Sequence, residues 1–484
     1  MLPADSGSWH GEGSRREFKK VFGFSKALLA IHTLDDGFQH MYAPLKLVER
    51  FYSYLDELRS EGLKKLEDKF RKFYQIKKMA RAEITKIALR DYSKLSNFAL
   101  ARKYEQIRTW IHRATIYDQF GWLSEDYWIE PMDEILVKSL KLKRGSKEYN
   151  TLLFSLTKPE EISTTLKEKR AVLRETLNVK RKESSVKKSV SKLTKQFGWM
   201  PVFTYGIPWD ERHYESELKE QIKRSMTELQ SEYEALVDYT KSRNEEIEKL
   251  ANGYQIKSND LQVFIDFGLI LDARNEAEYV LSFGSFYLLQ IYRETARRLA
   301  LSIKQIRSLE ETEIVACLRG EKKAHQLLEG RRRFFGWGFD KKMGKITFFD
   351  EDESEKLFAF VEKHAKGAVG NSTKAGITAS PGKSKGVARI IVSPEDNHRV
   401  KKGDILITIA TTVDYLPAMK RAAAFVTEVG GLTCHAAVVA REFGVPCIVS
   451  LKNATSDFRD GDRVEVDANK GIVRRISKRE LKNS

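Results

Sequence analysis

Residues 427–450 read TEVGGLTCHAAVVAREFGVPCIVS, and this stretch decides how the C-terminal part of the chain folds. An apolar, strand-like run leads into the glycine pair Gly430 and Gly431, where the backbone can turn. Apolar residues then recur at helical spacing until Gly444 ends the pattern: Ala436, Val439, Ala440 and Phe443. The pattern predicts a strand, a glycine turn and a helix that contains His435 in its first turn.

The predicted position of His435 suits a residue that carries a phosphoryl group. The first N–H groups of a helix have no partner inside it, and the aligned peptide dipoles attract anions to this end. An imidazole with its ordinary pKa of about 6.5 is mostly neutral near pH 7, and the neutral form is the nucleophile. The role requires a ring that solvent can reach. Taken alone, a histidine at such a position is more often a structural residue.

The segment TTVDYLPAMKRAAAFVTEVGGLTCHAAVVAREFGVPCIVS resembles the mobile, or swivelling, phosphohistidine domain of phosphoenolpyruvate-utilising enzymes. That family includes phosphoenolpyruvate synthase, pyruvate phosphate dikinase and rifampin phosphotransferase. The similarity extends over about residues 376–476. The resemblance implies a β/β/α swivelling fold, and it implies that His435 is the residue that becomes phosphorylated.

The resemblance also implies roles for the residues just before His435. Gly430 and Gly431 are expected to provide main-chain contacts to the phosphate. Thr433 is expected to support the imidazole, and in some family members this threonine is itself a regulatory phosphorylation site. Cys434 is expected to pack beside the site, although the helix terminus could lower the pKa of its thiol.

The chain departs from the family pattern at three positions close to the predicted site. The family often has aspartate where this chain has Glu428, and glycines where it has Ser450 and Lys452. These differences put in doubt how well the site fits the usual ATP-binding partner, and they leave open whether the carrier site is active.

The distribution of proline, glycine and apolar residues predicts a multidomain chain, mostly α-helical before the C-terminal swivelling domain. Apolar steps of four and three between Ile222 and Leu250 predict one long, heptad-patterned helix in the middle of the chain, through which the protein could self-associate. The predicted segments are a flexible tail (1–17), an N-terminal helical region (18–200), a second helical region (201–363), a hinge (364–376), the phosphohistidine domain (377–478) and a tail (479–484).

Composition narrows the class of protein. The chain has 484 residues, with 85 Lys and Arg against 68 Asp and Glu, which gives a net charge of +17. This excess is spread among helix-forming residues and glutamates, so it favours solvated helix faces over a nucleic-acid surface. Three cysteines do not make a disulfide framework, and no apolar run is long enough for a signal peptide or a membrane span. We therefore expect a cytoplasmic protein without a membrane partner, for which nucleic acid is a disfavoured partner.

Two domains that the resemblance would lead one to expect are not recognisable in the sequence. The first 370 residues lack the strand–helix alternation and glycine-rich turns of an ATP-grasp domain or a (β/α)8 barrel. The segment Ala379–Lys385, ASPGKSK, has the wrong glycine spacing for a phosphate-binding loop and is followed by a strand pattern. We therefore expect an incomplete phosphotransferase without a prosthetic group, whose partner chain binds ATP or phosphoenolpyruvate with Mg²⁺.

Three functions remain open from the sequence. The first is a phosphoryl-carrier component, in which His435 is transiently phosphorylated from a donor bound on an ATP-grasp or phosphoenolpyruvate/pyruvate-binding chain. The second is a small-molecule phosphotransferase whose helical region binds the acceptor. The third is a helical scaffold or nucleic-acid-binding protein with a vestigial carrier domain.

Overall fold

The computed structural model describes most of the chain, and the placement of its elements is given for these residues only. The described ranges are 12–23, 29–33, 38–42, 45–60, 64–89, 91–203, 207–329, 334–340, 345–365, 375–432 and 434–477. The predicted tail 479–484, residues 1–11 of the predicted tail 1–17, most of the predicted hinge (364–376) and Thr433 lie outside them. Residues 12–17, which were predicted to belong to a flexible tail, are instead part of the helix Glu12–Phe22. The domain boundaries inferred from the sequence therefore stay predictions.

Helices dominate the first three quarters of the chain, as predicted. The α-helices are α1 Glu12–Phe22, α2 Leu45–Ser60, α3 Lys64–Ile87, α4 Asn97–Asp133, α5 Lys147–Leu156, α6 Thr164–Lys180, α7 Val186–Phe197, α8 Glu211–Ile222, α9 Met226–Val237, α10 Tyr239–Gly253, α11 Ser258–Leu299, α12 Ile303–Arg307, α13 Glu311–Arg319, α14 Ala324–Glu329, α15 Glu351–Ala365, α16 Leu416–Met419, α17 His435–Phe443 and α18 Ala454–Asp457. A π-helical segment, Glu134–Ser139, follows α4, and short 3-10 helices span Pro394–Arg399 and Val413–Tyr415.

The strands form two sheets. They are β1 Leu29–Thr33, β2 Phe38–Tyr42, β3 Phe334–Asp340, β4 Lys345–Phe349, β5 Ile377–Ser380, β6 Lys383–Ile390, β7 Ile405–Thr408, β8 Ala424–Thr427, β9 Cys447–Val449, β10 Arg463–Asp467 and β11 Ile472–Arg475. One sheet has the order β2-β1-β3-β4, and the other has the order β11-β10-β6-β7-β8-β9-β5.

Contacts divide the chain into two compact units. The first unit comprises Met1–Ser124, Phe203–Tyr205 and Ala277–Asn371, and the second comprises Glu125–Val202, Gly206–Glu276 and Ser372–Ser484. None of the helices in the described ranges qualifies as a membrane-spanning segment by length and hydropathy.

The first unit has an aromatic core and a small antiparallel sheet. The rings of Phe22 and Phe120 lie with centroids 4.5 Å apart, and Phe18, Phe51 and Phe70 are completely buried around them. Strands β1 and β2 lie in a region that the sequence analysis predicted to be helical. The second partner of β1 is β3, which is about 300 positions away in the chain, so this pairing is a long-range contact that no local pattern signals.

In the second unit, the prediction of one long helix from Ile222 to Leu250 is wrong. Helix α9 ends at Val237 and α10 begins at Tyr239, with Asp238 between them. The apolar steps fail at Thr240 and Arg243, and the guanidinium of Arg243 donates hydrogen bonds of 3.0–3.1 Å to the carbonyl oxygen of Lys158. These polar contacts give α10 a different packing partner from α9, whose Leu229 packs on α6.

The end of the second unit, residues 377–475, is here called the C-terminal region. Its strands β6, β7, β8 and β9 are parallel neighbours, while β5, β10 and β11 pair antiparallel. The central strands are buried on both faces, with a core that includes Ile405, Val426 and Ile448. The predicted strand, turn and helix around His435 are present as β8, its following loop and α17.

Candidate functional site

The candidate site lies where two adjacent parallel strands end. Strands β7 and β8 pair in register from Ile405 with Ala424 to Thr408 with Thr427. The loop after β7 contains Thr411, and the loop after β8 leads to His435. Because parallel strands end at the same edge of a sheet, these two loops come together there.

His435 is the first residue of α17, as the sequence predicted, with Cys434 at the N-cap position. Nδ1 of the imidazole lies 3.1 Å from the hydroxyl oxygen of Thr411, which is also buried. Nε2 is buried and has no hydrogen-bond partner among the described residues. The tautomer with a proton on Nδ1 lets the ring donate to Thr411 and leaves the lone pair of Nε2 available for chemistry.

The environment of the ring differs from the expectation in one respect. His435 is only 7% exposed, so solvent does not reach the imidazole freely in this arrangement. Burial lowers the pKa of His435 to about 3, because desolvation disfavours the charged imidazolium. The ring is therefore neutral near pH 7, and it is covered by the surrounding residues.

The loop before α17 is held by contacts that need Gly430. This residue has φ +117°, a conformation that side chains disfavour, and a Cβ there would lie 2.9 Å from the sulfur of Cys434. Its carbonyl oxygen accepts a hydrogen bond of 2.7 Å from the hydroxyl of Ser450. Ser450, one of the departures from the family pattern, thus stabilises the glycine turn.

Two further residues depart from the family pattern, Glu428 and Lys452, and their surroundings differ. The carboxylate of Glu428 accepts hydrogen bonds from the backbone N–H of Thr455 at 2.7 Å and from its hydroxyl at 2.5 Å, at the start of α18. Lys452 is exposed. Thr433 lies outside the described residues, so its expected support of the imidazole stays a prediction.

Cys434 does not have the activated thiol that its helix-terminal position allowed. Burial raises the pKa of this thiol above its ordinary value, and this effect is the largest influence on it. A protonated thiol near pH 7 is a poor nucleophile. The packing role beside Gly430 accounts for this residue.

The parts of α4 and α11 that belong to the second unit contact the same loop. A Cβ on Gly431 would overlap Oε1 of Glu125 on α4, so the carboxylate lies directly against the glycine backbone. Oε2 of Glu125 accepts a hydrogen bond of 3.1 Å from Nη1 of Arg274 on α11. Arg441 on α17 donates from Nη1 to the carbonyl oxygen of Leu432 at 2.9 Å. The loop is thus fixed both from α17 and from the preceding helices.

Sequence reasoning found His435 and the glycines but missed Thr411, Glu125 and Arg274. Thr411 follows a predicted strand and stands in the TTVDYLP segment, so its place after β7 was the available signal. Glu125 and Arg274 belong to distant helices and carry no local motif, so no signal in the sequence identified them.

Comparisons with known proteins concern this same region. Residues 400–471 match the family model described as "PEP-utilising enzyme, mobile domain". The chain is 50% identical over 121 residues to a probable phosphoenolpyruvate synthase of Archaeoglobus fulgidus, a match that covers 25% of this chain and 16% of that protein. It is 40% identical over 139 residues to the phosphoenolpyruvate synthase of Pyrococcus furiosus, covering 28% of this chain and 17% of that protein.

A third relative, a probable phosphoenolpyruvate synthase of Methanothermobacter thermautotrophicus, is 46% identical over 98 residues, which is 20% of this chain and 14% of that protein. The resemblance inferred from the sequence is therefore confirmed for the C-terminal region. The matched segments span between 14% and 17% of the length of these three relatives.

Proposed function

We propose, from the mobile domain at residues 400–471, that this chain is the phosphoryl-carrying component of a phosphoenolpyruvate-utilising type phosphotransferase. His435 takes a phosphoryl group from ATP or phosphoenolpyruvate bound on a partner chain, together with Mg²⁺, and passes it to an acceptor. The observation that supports the proposal is the Nε2 atom of a neutral imidazole at the start of α17, which has no hydrogen-bond partner in the described part of the chain, while Nδ1 is held by Thr411.

The transfer step follows from this geometry. The lone pair of Nε2 forms the N–P bond while the bond from phosphorus to the donor oxygen breaks, and that oxygen leaves with the bonding electrons. The imidazole becomes positively charged as it loses the lone pair. The Nδ1–H group stays hydrogen-bonded to the oxygen of Thr411, which stabilises this charge and fixes the ring plane. The amides of Gly430, Gly431 and the first turn of α17 are available to the phosphoryl oxygens.

The covered ring adds a condition to the proposal. In-line transfer requires phosphorus within about 3–3.5 Å of the attacking nitrogen. Nε2 of His435 is buried, so it cannot meet this requirement until the C-terminal region moves. The proposed cycle therefore alternates between a closed arrangement, in which Nε2 is buried, and an open one that engages the partner.

A test without the partner uses potassium phosphoramidate, which phosphorylates reactive histidines directly. We expect acid-labile, alkali-stable phosphate on the peptide that contains His435, identified by mass spectrometry. His435→Asn should lose this phosphate, whereas His398→Asn, at an exposed histidine of the same region, should keep it. Undiminished phosphate on the same peptide in the His435→Asn protein would refute the assignment of the nucleophile.

A second test supplies an enzymatic donor. The phosphoenolpyruvate synthase of Pyrococcus furiosus, whose mobile domain is similar to this one, is mixed with the chain, Mg²⁺ and [³²P]phosphoenolpyruvate. We expect label on His435 of the shorter chain, separable by size. The label could stay on the synthase alone even when the closed arrangement is weakened by mutation. That result would rule out transfer of a phosphoryl group from a synthase of this type to His435.

The alternative of an acceptor bound by the helical region has one specific support. A cavity with a volume of about 440 Å³ lies among α5, α6, α10 and α11 on one side and α17 on the other. Val438, one turn after His435, is part of its wall, and its volume suits a small molecule. Release of ³²P from phosphorylated His435 into a hydroxylic compound, but not into pyruvate or water, would favour this function.

A further inference from the structure

In the closed arrangement the described residues cover the reactive nitrogen of His435. Nε2 is out of contact with solvent and has no partner among the described residues. A phosphoryl group is larger than a water molecule and brings negative charge, which is costly to bury without donors. The arrangement therefore fits the unphosphorylated imidazole only.

An acidic side chain lies where the phosphate-binding backbone is expected. The carboxylate of Glu125 on α4 contacts Gly431 and is paired with Arg274 of α11, and both side chains are largely buried. Both charges also act on Cys434, the residue before His435. The carboxylate of Glu125 offers a phosphoryl group no hydrogen-bond donor, and it covers the backbone of Gly431 to which the phosphoryl oxygens are expected to bind.

A second contact holds the C-terminal region against the helices. The ammonium of Lys420, just after α16, lies 2.8 Å from both carboxylate oxygens of Glu168 on α6. Glu168 is completely buried, and Lys420 lies over the ring of Trp209 at 4.8 Å from its centroid. A buried charge that loses its partner is strongly destabilising, so each member of this pair requires the other while the arrangement is closed.

We propose that α4, α6 and α11 form a docking surface that binds the chain's own C-terminal region when His435 is unphosphorylated and releases it when His435 is phosphorylated. The inference rests on the proposed carrier function. Glu125 and Glu168 are its recognition residues: Glu168 binds Lys420, and Glu125 occupies the position from which a phosphoryl group must be excluded. Phosphorylation thus frees the carrier to reach its acceptor, and dephosphorylation returns it.

The accessibility of the His435 imidazole is measured with diethyl pyrocarbonate, a reagent that modifies exposed, neutral imidazole in the full-length protein. The rate at His435 is divided by the rate at the exposed His398, so that each protein has its own internal reference. Lys420→Ala leaves Glu168 buried without its partner, and we expect it to raise the rate ratio about tenfold or more. Glu125→Ala, which removes the other contact, should raise the ratio in the same direction.

Two controls separate docking from general loosening. Lys470→Ala removes an exposed lysine of the same region and should leave the ratio unchanged. The double variant Glu168→Leu with Lys420→Met replaces the ion pair by apolar side chains and should stay closed, because such replacements of buried pairs are often neutral. The expected rise in the rate ratio is about tenfold. If the ratios of Lys420→Ala and Glu125→Ala stay within about twofold of wild type, the proposed docking surface is rejected.

The dependence on phosphorylation is tested with protein treated with phosphoramidate. Hydrogen–deuterium exchange at α16 and at the N-terminal half of α6 should become faster after phosphorylation, and not after mock treatment or in treated His435→Asn. Unchanged exchange in fully phosphorylated protein would overturn the proposal. Diethyl pyrocarbonate and phosphoramidate act on the chain without any partner. Failure of the partner-dependent transfer would therefore reject the proposed function without changing the outcome of these docking tests.

Discussion

The hydroxyl oxygen of Thr411 lies 3.1 Å from Nδ1 of His435, although 24 positions separate the two residues in the chain. The parallel pairing of β7 with β8 produces this contact, because it brings the loops after both strands to one edge of the sheet. The hydrogen bond selects one nitrogen of the ring. It leaves Nε2 as the atom that can react.

Replacing Thr411 tests this relationship. Thr411→Val keeps the shape of the side chain but removes the acceptor of the Nδ1–H bond, at a cost of about 1 kcal/mol. We expect the rate of His435 phosphorylation by phosphoramidate to fall about fivefold to tenfold relative to His398. Thr411→Ser retains the hydroxyl and should restore most of the rate. A valine variant as fast as wild type would show that Thr411 does not orient the ring.

Replacing Gly430 tests the turn before α17. Gly430→Ala introduces both a strained φ and a contact with the sulfur of Cys434, whereas Gly461→Ala introduces a strained φ of +93° with open space around it. The strained φ should lower the free energy of unfolding of both variants by about 1 kcal/mol. The contact with the sulfur of Cys434 should lower that of Gly430→Ala by roughly 1–2 kcal/mol more. Chemical denaturation measures the difference. Equal losses would mean that the loop adjusts to the added methyl group.

The pH dependence of stability should report the burial of His435. Its pKa is lowered to about 3 in the folded protein, so below the ordinary value of 6.5 the unfolded chain binds a proton that the folded chain does not. Stability from this group is complete above about pH 6.5 and is lost as pH falls toward 3. At pH 5 the loss is roughly 2 kcal/mol.

The measurement compares wild type with His435→Gln by denaturation at pH 7 and at pH 5. The variant should lose less stability on acidification than wild type. His213, whose pKa burial also lowers to about 3, is present in both proteins and cancels in the comparison. Parallel pH profiles for the two proteins would show that the ring is accessible in solution.

Glu442 on α17 should show the opposite sign. Burial raises the pKa of its carboxyl to about 7, so stability from the bound proton is present at low pH and is lost as pH rises through 7. Glu442→Gln stays neutral at all pH values. It should be more stable than wild type by roughly 1–3 kcal/mol at pH 8, with a smaller difference at pH 5. A pH-independent difference would contradict the buried, protonated carboxyl.

Local patterns in the sequence were sufficient where the relevant interactions lie within a few residues. The apolar spacing from Ala436 to Phe443 predicted α17, and the position of His435 in its first turn follows from that spacing. The glycine turn was predicted for the same reason, and Gly430 indeed has a backbone conformation that favours glycine. The resemblance to a mobile domain also depended on contiguous residues, which the family match confirms.

The sequence by itself thus determined the helical character of most of the chain, the strand–turn–helix around residues 427–443 and the histidine at the helix start. Only the tertiary structure decided that the ring is buried, that Thr411 contacts it, that Glu125 faces Gly431 and that Lys420 pairs with Glu168. It also decided that the predicted long helix is interrupted at Asp238 and that β1 pairs with β3. The physical reason is the same in each case. Secondary structure is governed by neighbours three or four residues apart, whereas burial and charge pairing depend on residues that the fold brings together from far along the chain.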